Sequence, residues 1–156
     1  MTSAGLQSRT RGQWARLVLA IYGPTLLASI GFGAIIPLIP LQATTLGASP
    51  GVAAFVTAIP GIAMLAFDLP AGTIATRLGE RLSIALACLV DAAIMVVVYL
   101  AGSVSVLALA VFIHGTTGSI FGLARQTYIT DAIPLKYRAR GMSSLGGVLR
   151  IGYFIG

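Results

Sequence analysis

Residues 17–67 read LVLAIYGPTLLASIGFGAIIPLIPLQATTLGASPGVAAFVTAIPGIAMLAF, a run of 51 residues without one Asp, Glu, Lys, Arg or His. A helix that crosses the hydrocarbon core of a bilayer needs about 20 apolar residues, each adding about 1.5 Å of rise. The run therefore holds two spans and the turn between them. Segment 40–50, bounded by prolines and carrying Gly47 and Ser49, predicts that turn.

The rest of the composition agrees. Hydrophobic residues make up 57% of the 156 and charged residues 9%, against roughly 25% charged in an ordinary globular domain. So little charge cannot build a water-facing surface. The net charge of +6 does not point to nucleic acid, because the basic residues fall in short patches between apolar runs rather than on one exposed face. Cys88 stands alone, forms no internal disulfide, and is expected as a small buried hydrophobe. Arg9, Arg11 and Arg16 precede the first apolar run, yet residues 17–41 exceed the roughly 7 to 15 residues of a signal-peptide core, so the run is read as a retained first helix.

Five apolar segments follow, predicted as helices over about 17–40, 51–75, 82–101, 104–130 and 141–156. Eight of the ten basic residues cluster in three places: before the first segment, at Arg77 and Arg81, and at Lys136, Arg138 and Arg140. The connections 41–49 and 101–103 carry none. This alternation is the positive-inside pattern, and it predicts a multi-pass protein of the cell membrane with a cytoplasmic N-terminus. Nineteen Gly and seven Pro residues give the segments the small-residue faces through which helices pack in lipid.

The connection between the second and third segments, Gly72-Thr73-Ile74-Ala75-Thr76-Arg77-Leu78-Gly79-Glu80-Arg81, resembles the helix 2–3 signature of the major facilitator superfamily, G-x-L-A-D-R-x-G-R-R, at Gly72, Ala75, Arg77, Gly79 and Arg81. Thr76 stands where the signature has Asp, and Glu80 where it has a basic residue. Residues 33–40 with Leu46-Gly47-Ala48 look like the first-helix end of the superfamily's drug and metabolite exporters. Asp131, Pro134, Arg138, Arg140 and Gly141 are similar to the helix 4–5 loop. Gly146, Gly147, Gly152 and Gly156 resemble the start of the glycine-rich helix 5 motif of antiporters. The helix 4 motif R-x-x-Q-G keeps only Gly115, with Val111 and His114 in its other places.

The resemblance implies an all-α polytopic fold: part of the N-terminal six-helix bundle, with four complete transmembrane helices and most of a fifth, in a single incomplete domain over residues 1–156. It implies a proton-coupled exporter, or antiporter, of small solutes. The expected partners are the lipid bilayer, a small-molecule substrate, protons and a C-terminal transporter half that the chain, breaking off in helix 5, lacks. Nucleic acid is not expected. A non-transporting membrane fragment or scaffold is the alternative. No paired Cys and His ligands, no H-E-x-x-H and no nucleophile beside a base occur, so neither catalytic residues, a metal nor a cofactor is expected.

Ionisable residues inside the apolar segments are the functional candidates, since burying each near the bilayer centre costs at least about 2.5–3.5 kcal/mol. By helical rise Asp68 lies about 13 Å deep, Asp91 and Arg150 about 15 Å, Arg125 about 9 Å and His114 about 25 Å. Two carboxylates and two guanidinium groups balance. In one reading they pair with one another as packing devices; in the other, Asp68, Asp91 or His114 exchanges a proton as solute moves, with Asp68 preferred because the family's helix 2 borders the moving interface. Arg125 and Gln126 are candidates to line a substrate cavity, because helix 4 faces that cavity in the family. Trp14 and Tyr22 read as interfacial anchors.

Overall fold

In a computed structural model, which describes residues 11–133 and 135–156 and omits the side chains of residues 11–21, 132 and 137, the chain forms five helices. These are α1 (Arg11–Thr45), α2 (Pro50–Leu78), α3 (Glu80–Tyr99), α4 (Val104–Ala132) and α5 (Leu135–Ile155). Four contain stretches long and apolar enough to cross a membrane: Tyr22–Thr45, Pro50–Leu78, Glu80–Tyr99 and Val104–Asp131. The fifth does not reach that mark, because Lys136, Arg138, Arg140 and Arg150 all lie within it.

The helix ends follow local chemistry. Helix α1 runs on through Pro40, the expected end of the first helix, and stops instead just before Gly47. There the Ala48 N–H bonds to the Ala43 carbonyl and the Gly47 N–H to the Thr44 carbonyl, both at 3.0 Å. With Gly47 at φ 85°, this pattern is a Schellman ending. Ser49 then caps α2 through its side chain, with Pro50 in the first turn, where its missing N–H costs nothing. Ser103 caps α4 in the same way. Helix α5 starts at Leu135, before the expected residue 141, so the basic segment is helical rather than a loop.

The chain divides into two units. One comprises residues 35–138. In it α4 is central: α2 and α3 each pack along it and only slightly on one another. At the end of this unit that carries no basic residue, Ile39, Ala43, Ala53, Val56, Val98, Ala101 and Leu107 form an apolar core. The other unit joins the first part of α1 to residues 139–156. Here the Tyr22 hydroxyl donates to the Gly141 carbonyl at 3.2 Å, and the Phe32 and Tyr153 rings lie 6.4 Å apart. Residue numbers rise together along both helices, so they run parallel. Cys88, expected to be buried, is exposed on α3. The buried face of that helix is set by Ser83 and Ala87, and Cys88 lies about 100° round from Ala87.

Candidate functional site

The middle of α4 reads His114-Gly115-Thr116-Thr117-Gly118-Ser119, small and polar where the helix is most deeply packed. His114, Thr117 and Ser119 are all buried. Such residues survive in a spanning helix only where neighbouring helices supply partners, and α2 and α3 do so from two sides.

From α3 comes Asp91. His114 Nδ1 lies 2.7 Å from its Oδ1, and the Thr117 hydroxyl lies 3.0 Å from the same oxygen. That hydroxyl is also 2.8 Å from the His114 carbonyl. Having a single proton, it divides that proton between two acceptors. The side chain of His114 is 5% exposed and that of Asp91 27%. From α2 comes Asp68, whose Oδ1 accepts a hydrogen bond from Ser119 Oγ at 2.5 Å. Asp68 itself is exposed on α2, although it sits well inside that helix.

These contacts fix directions. Asp68 meets Ser119 while Pro60 and Ala63 meet Gly115, so α2 runs parallel to α4. Asp91 meets His114 while the Arg81 guanidinium lies 5.9 Å from the centre of the Tyr128 ring, so α3 runs antiparallel. The turn after α2 and the C-terminal end of α4 therefore share one end of this unit, and that end carries Arg77 and Arg81.

Among the described residues, Asp91 is met by an imidazole and a hydroxyl, and Asp68 by a hydroxyl. Arg125 places its guanidinium 5.3 Å from the Phe121 ring centre, a cation–π distance. Arg150 is exposed on α5. Gln126, two turns beyond Ser119 on the same side of α4, is exposed. The sequence reading missed Thr117 and Ser119. Their signal was present as helical spacing, since Thr117 lies one turn from His114 and both fall in the polar stretch.

The motif residues lie at the ends of helices. Gly79, at φ 79° and ψ 155°, is at once the C-cap of α2 and the N-cap of α3. One residue reverses the chain. Ala75 is buried, Gly72 half-buried, and Arg77 and Arg81 exposed. Asp131 is exposed near the end of α4. Arg138 Nε donates to the Ile133 carbonyl at 3.2 Å, placing a cation on the last carbonyls of α4, where it complements the helix dipole. Arg140 is exposed, and Pro134 lies outside the described residues.

Of the helix 5 glycines, Gly146 and Gly147 face open space. Gly152 and Gly156 press on α1: a Cβ at Gly152 would strike the Ser29 side chain, and one at Gly156 would strike the Ile30 carbonyl and come within 2.8 Å of the Ala34 nitrogen.

No curated protein matches the chain. The family model of the Major Facilitator Superfamily matches residues 24–156. That match takes in most of α1 and all of α2 to α5, and with them the turn signature at residues 72–81 and nearly all of the four apolar spans. On that extent of agreement, the chain is a membrane protein that belongs to the Major Facilitator Superfamily of transporters.

Proposed function

We propose that these helices work as the N-terminal part of a proton-coupled exporter of small solutes, an antiporter in the cell membrane, with Asp68 as its coupling carboxylate. Transporters of this kind rock two bundles about a site near the midplane, so the second half of the site comes from a C-terminal bundle. The partners are then the bilayer, the solute and the proton.

The observation that carries the reading is the setting of Asp68. It is an exposed carboxylate inside an apolar helix, bonded to one hydroxyl. Facing lipid, its charge costs at least about 2.5–3.5 kcal/mol; facing a water-filled cavity, that cost falls away. Ser119 suits a site where a proton comes and goes. A hydroxyl donates to a carboxylate and accepts from a carboxylic acid, so both states of Asp68 keep the same partner. Gln126 and Arg125, farther along α4, are the groups we assign to the cavity wall. The N-terminus and both basic connections lie in the cytoplasm on this reading, in keeping with the positive-inside pattern.

Asp68→Asn in the transporter keeps the shape of the side chain and removes its titration. Membrane abundance equal to wild type with loss of proton-dependent efflux is the expected result. Efflux unchanged between about pH 6 and pH 8 returns Asp68 to a packing role.

A further inference from the structure

Helix α5 lies inside the bilayer although it is the one described helix that falls short of a span by composition. It runs parallel to α1 and presses on it from the start of the α1 span at Tyr22 to well inside that span: Tyr22 meets Gly141, Ser29 meets Gly152, and Ile30 and Ala34 meet Gly156. Residues 141–156 are therefore held beside apolar sequence for about four turns.

The polarity of α5 is confined to the side away from α1. Gly141, Leu145 and Gly152 are buried on the α1 side, whereas Arg140, Ser143, Gly147, Arg150 and Phe154, all exposed, share the opposite face by their spacing of three and four residues. Arg150 stands about 15 Å along the axis from Arg140. Among the described residues it has no ion pair, hydrogen bond or ring contact. The turn before it is Gly146-Gly147, where a Cβ would meet nothing within 4 Å, and helical side chains lean toward the turn that precedes them. A guanidinium with open space beside it, at membrane depth, needs water and an anion rather than lipid tails.

We infer that this face of α5 lines the solute path and that Arg150 binds an acidic group of the solute, so that the exported class is small organic acids bearing a carboxylate, sulfonate or phosphate. The planar fork of an arginine fits two oxygens of such a group and keeps its charge at every working pH. An anion that enters at Arg140 next meets the Ser143 hydroxyl and then, past the bare backbone of Gly147, Arg150. A carboxylate fixed on a neighbouring helix would satisfy Arg150 alone and leave that approach without a role. Phe154, 92% exposed, lies one turn farther and offers apolar surface to the body of an organic acid. Calling the anion a solute rests on the proposed transport reading, whereas the anion site does not, and neither does its test. Efflux by Asp68→Asn and the charge of the α5 face fail separately.

Gly147→Cys in a Cys88→Ser background, in open membrane sheets where both faces are reached, reads that charge through its reaction with methanethiosulfonate reagents. The open space at Gly147 admits the new side chain, and thiols react as thiolates, which form in water and not among lipid tails. Relative to their rates with a small free thiol, the anionic sulfonatoethyl reagent should react about tenfold faster than the cationic trimethylammonioethyl reagent. Arg150→Gln should abolish that preference and Arg150→Lys should keep it. Reaction with neither reagent places the face in lipid and overturns the inference. So does a preference that Arg150→Gln leaves unchanged, because the charge is then already neutralised by a lipid phosphate or a protein carboxylate. Loss in Arg150→Lys as well as in Arg150→Gln overturns it too, since the effect then follows the substitution and not the charge.

Discussion

At the scale of single residues, two glycines matter for opposite reasons. Gly115 has an ordinary helical backbone, but a Cβ there would strike the Pro60 carbonyl and come within 2.7 Å of the Pro60 Cα and 2.9 Å of the Ala63 Cβ. The obstacle is backbone, which cannot swing aside. Gly79 is the converse: nothing lies within 4 Å of its Cβ position, but its φ of 79° with ψ 155° is a conformation open to glycine almost alone. Gly115→Ala should therefore destabilise the protein by about 1–3 kcal/mol through overpacking of α2 on α4. It should also weaken the Asp68 to Ser119 contact one turn away. Thermal unfolding in detergent, compared with Gly147→Ala on an exposed position, checks the first effect; the control should stay within about 0.5 kcal/mol of wild type. The ionisable candidates were legible because charge in an apolar run stands out. Their partners were not, because pairing depends on which helices touch, and a hydroxyl such as that of Ser119 costs too little in a membrane to attract notice.

At the scale of elements, the apolar runs announced the helices but not their ends. Prolines near 37 and 40 look like terminators in water. In a spanning helix they are tolerated, and the end came instead from the glycine that enters the left-handed region at position 47. The α5 start shifts for a related reason: basic side chains at positions 136, 138 and 140 suggest a loop, although Lys and Arg are good helix formers and extend along a helix to reach water. The α2–α3 reversal was the most legible element, since its signature carries glycine at the one position whose backbone demands it. Gly79→Ala should cost about 1–3 kcal/mol through backbone strain, and local hydrogen exchange at residues 76–83 should rise while that at the apolar core around Val98 and Leu107 stays at the wild-type rate. An unchanged exchange pattern would mean that the turn does not depend on this conformation.

At the scale of the whole molecule, sign and direction must agree. Within the larger unit α2 and α4 run one way and α3 the other, so the connections at Ser49 and Ser103 fall at the end with the apolar core, and Arg77 and Arg81 at the opposite end. Charge at only one end is what fixes orientation in a membrane. The measurement that tests this account most directly is labelling of single cysteines, introduced in a Cys88→Ser background, by a thiol reagent that cannot cross the membrane of intact cells. Ala48→Cys and Ser103→Cys should react at once, while Thr76→Cys should react only after the cells are permeabilised. Labelling of Thr76→Cys in intact cells, with Ala48→Cys and Ser103→Cys protected, would contradict it.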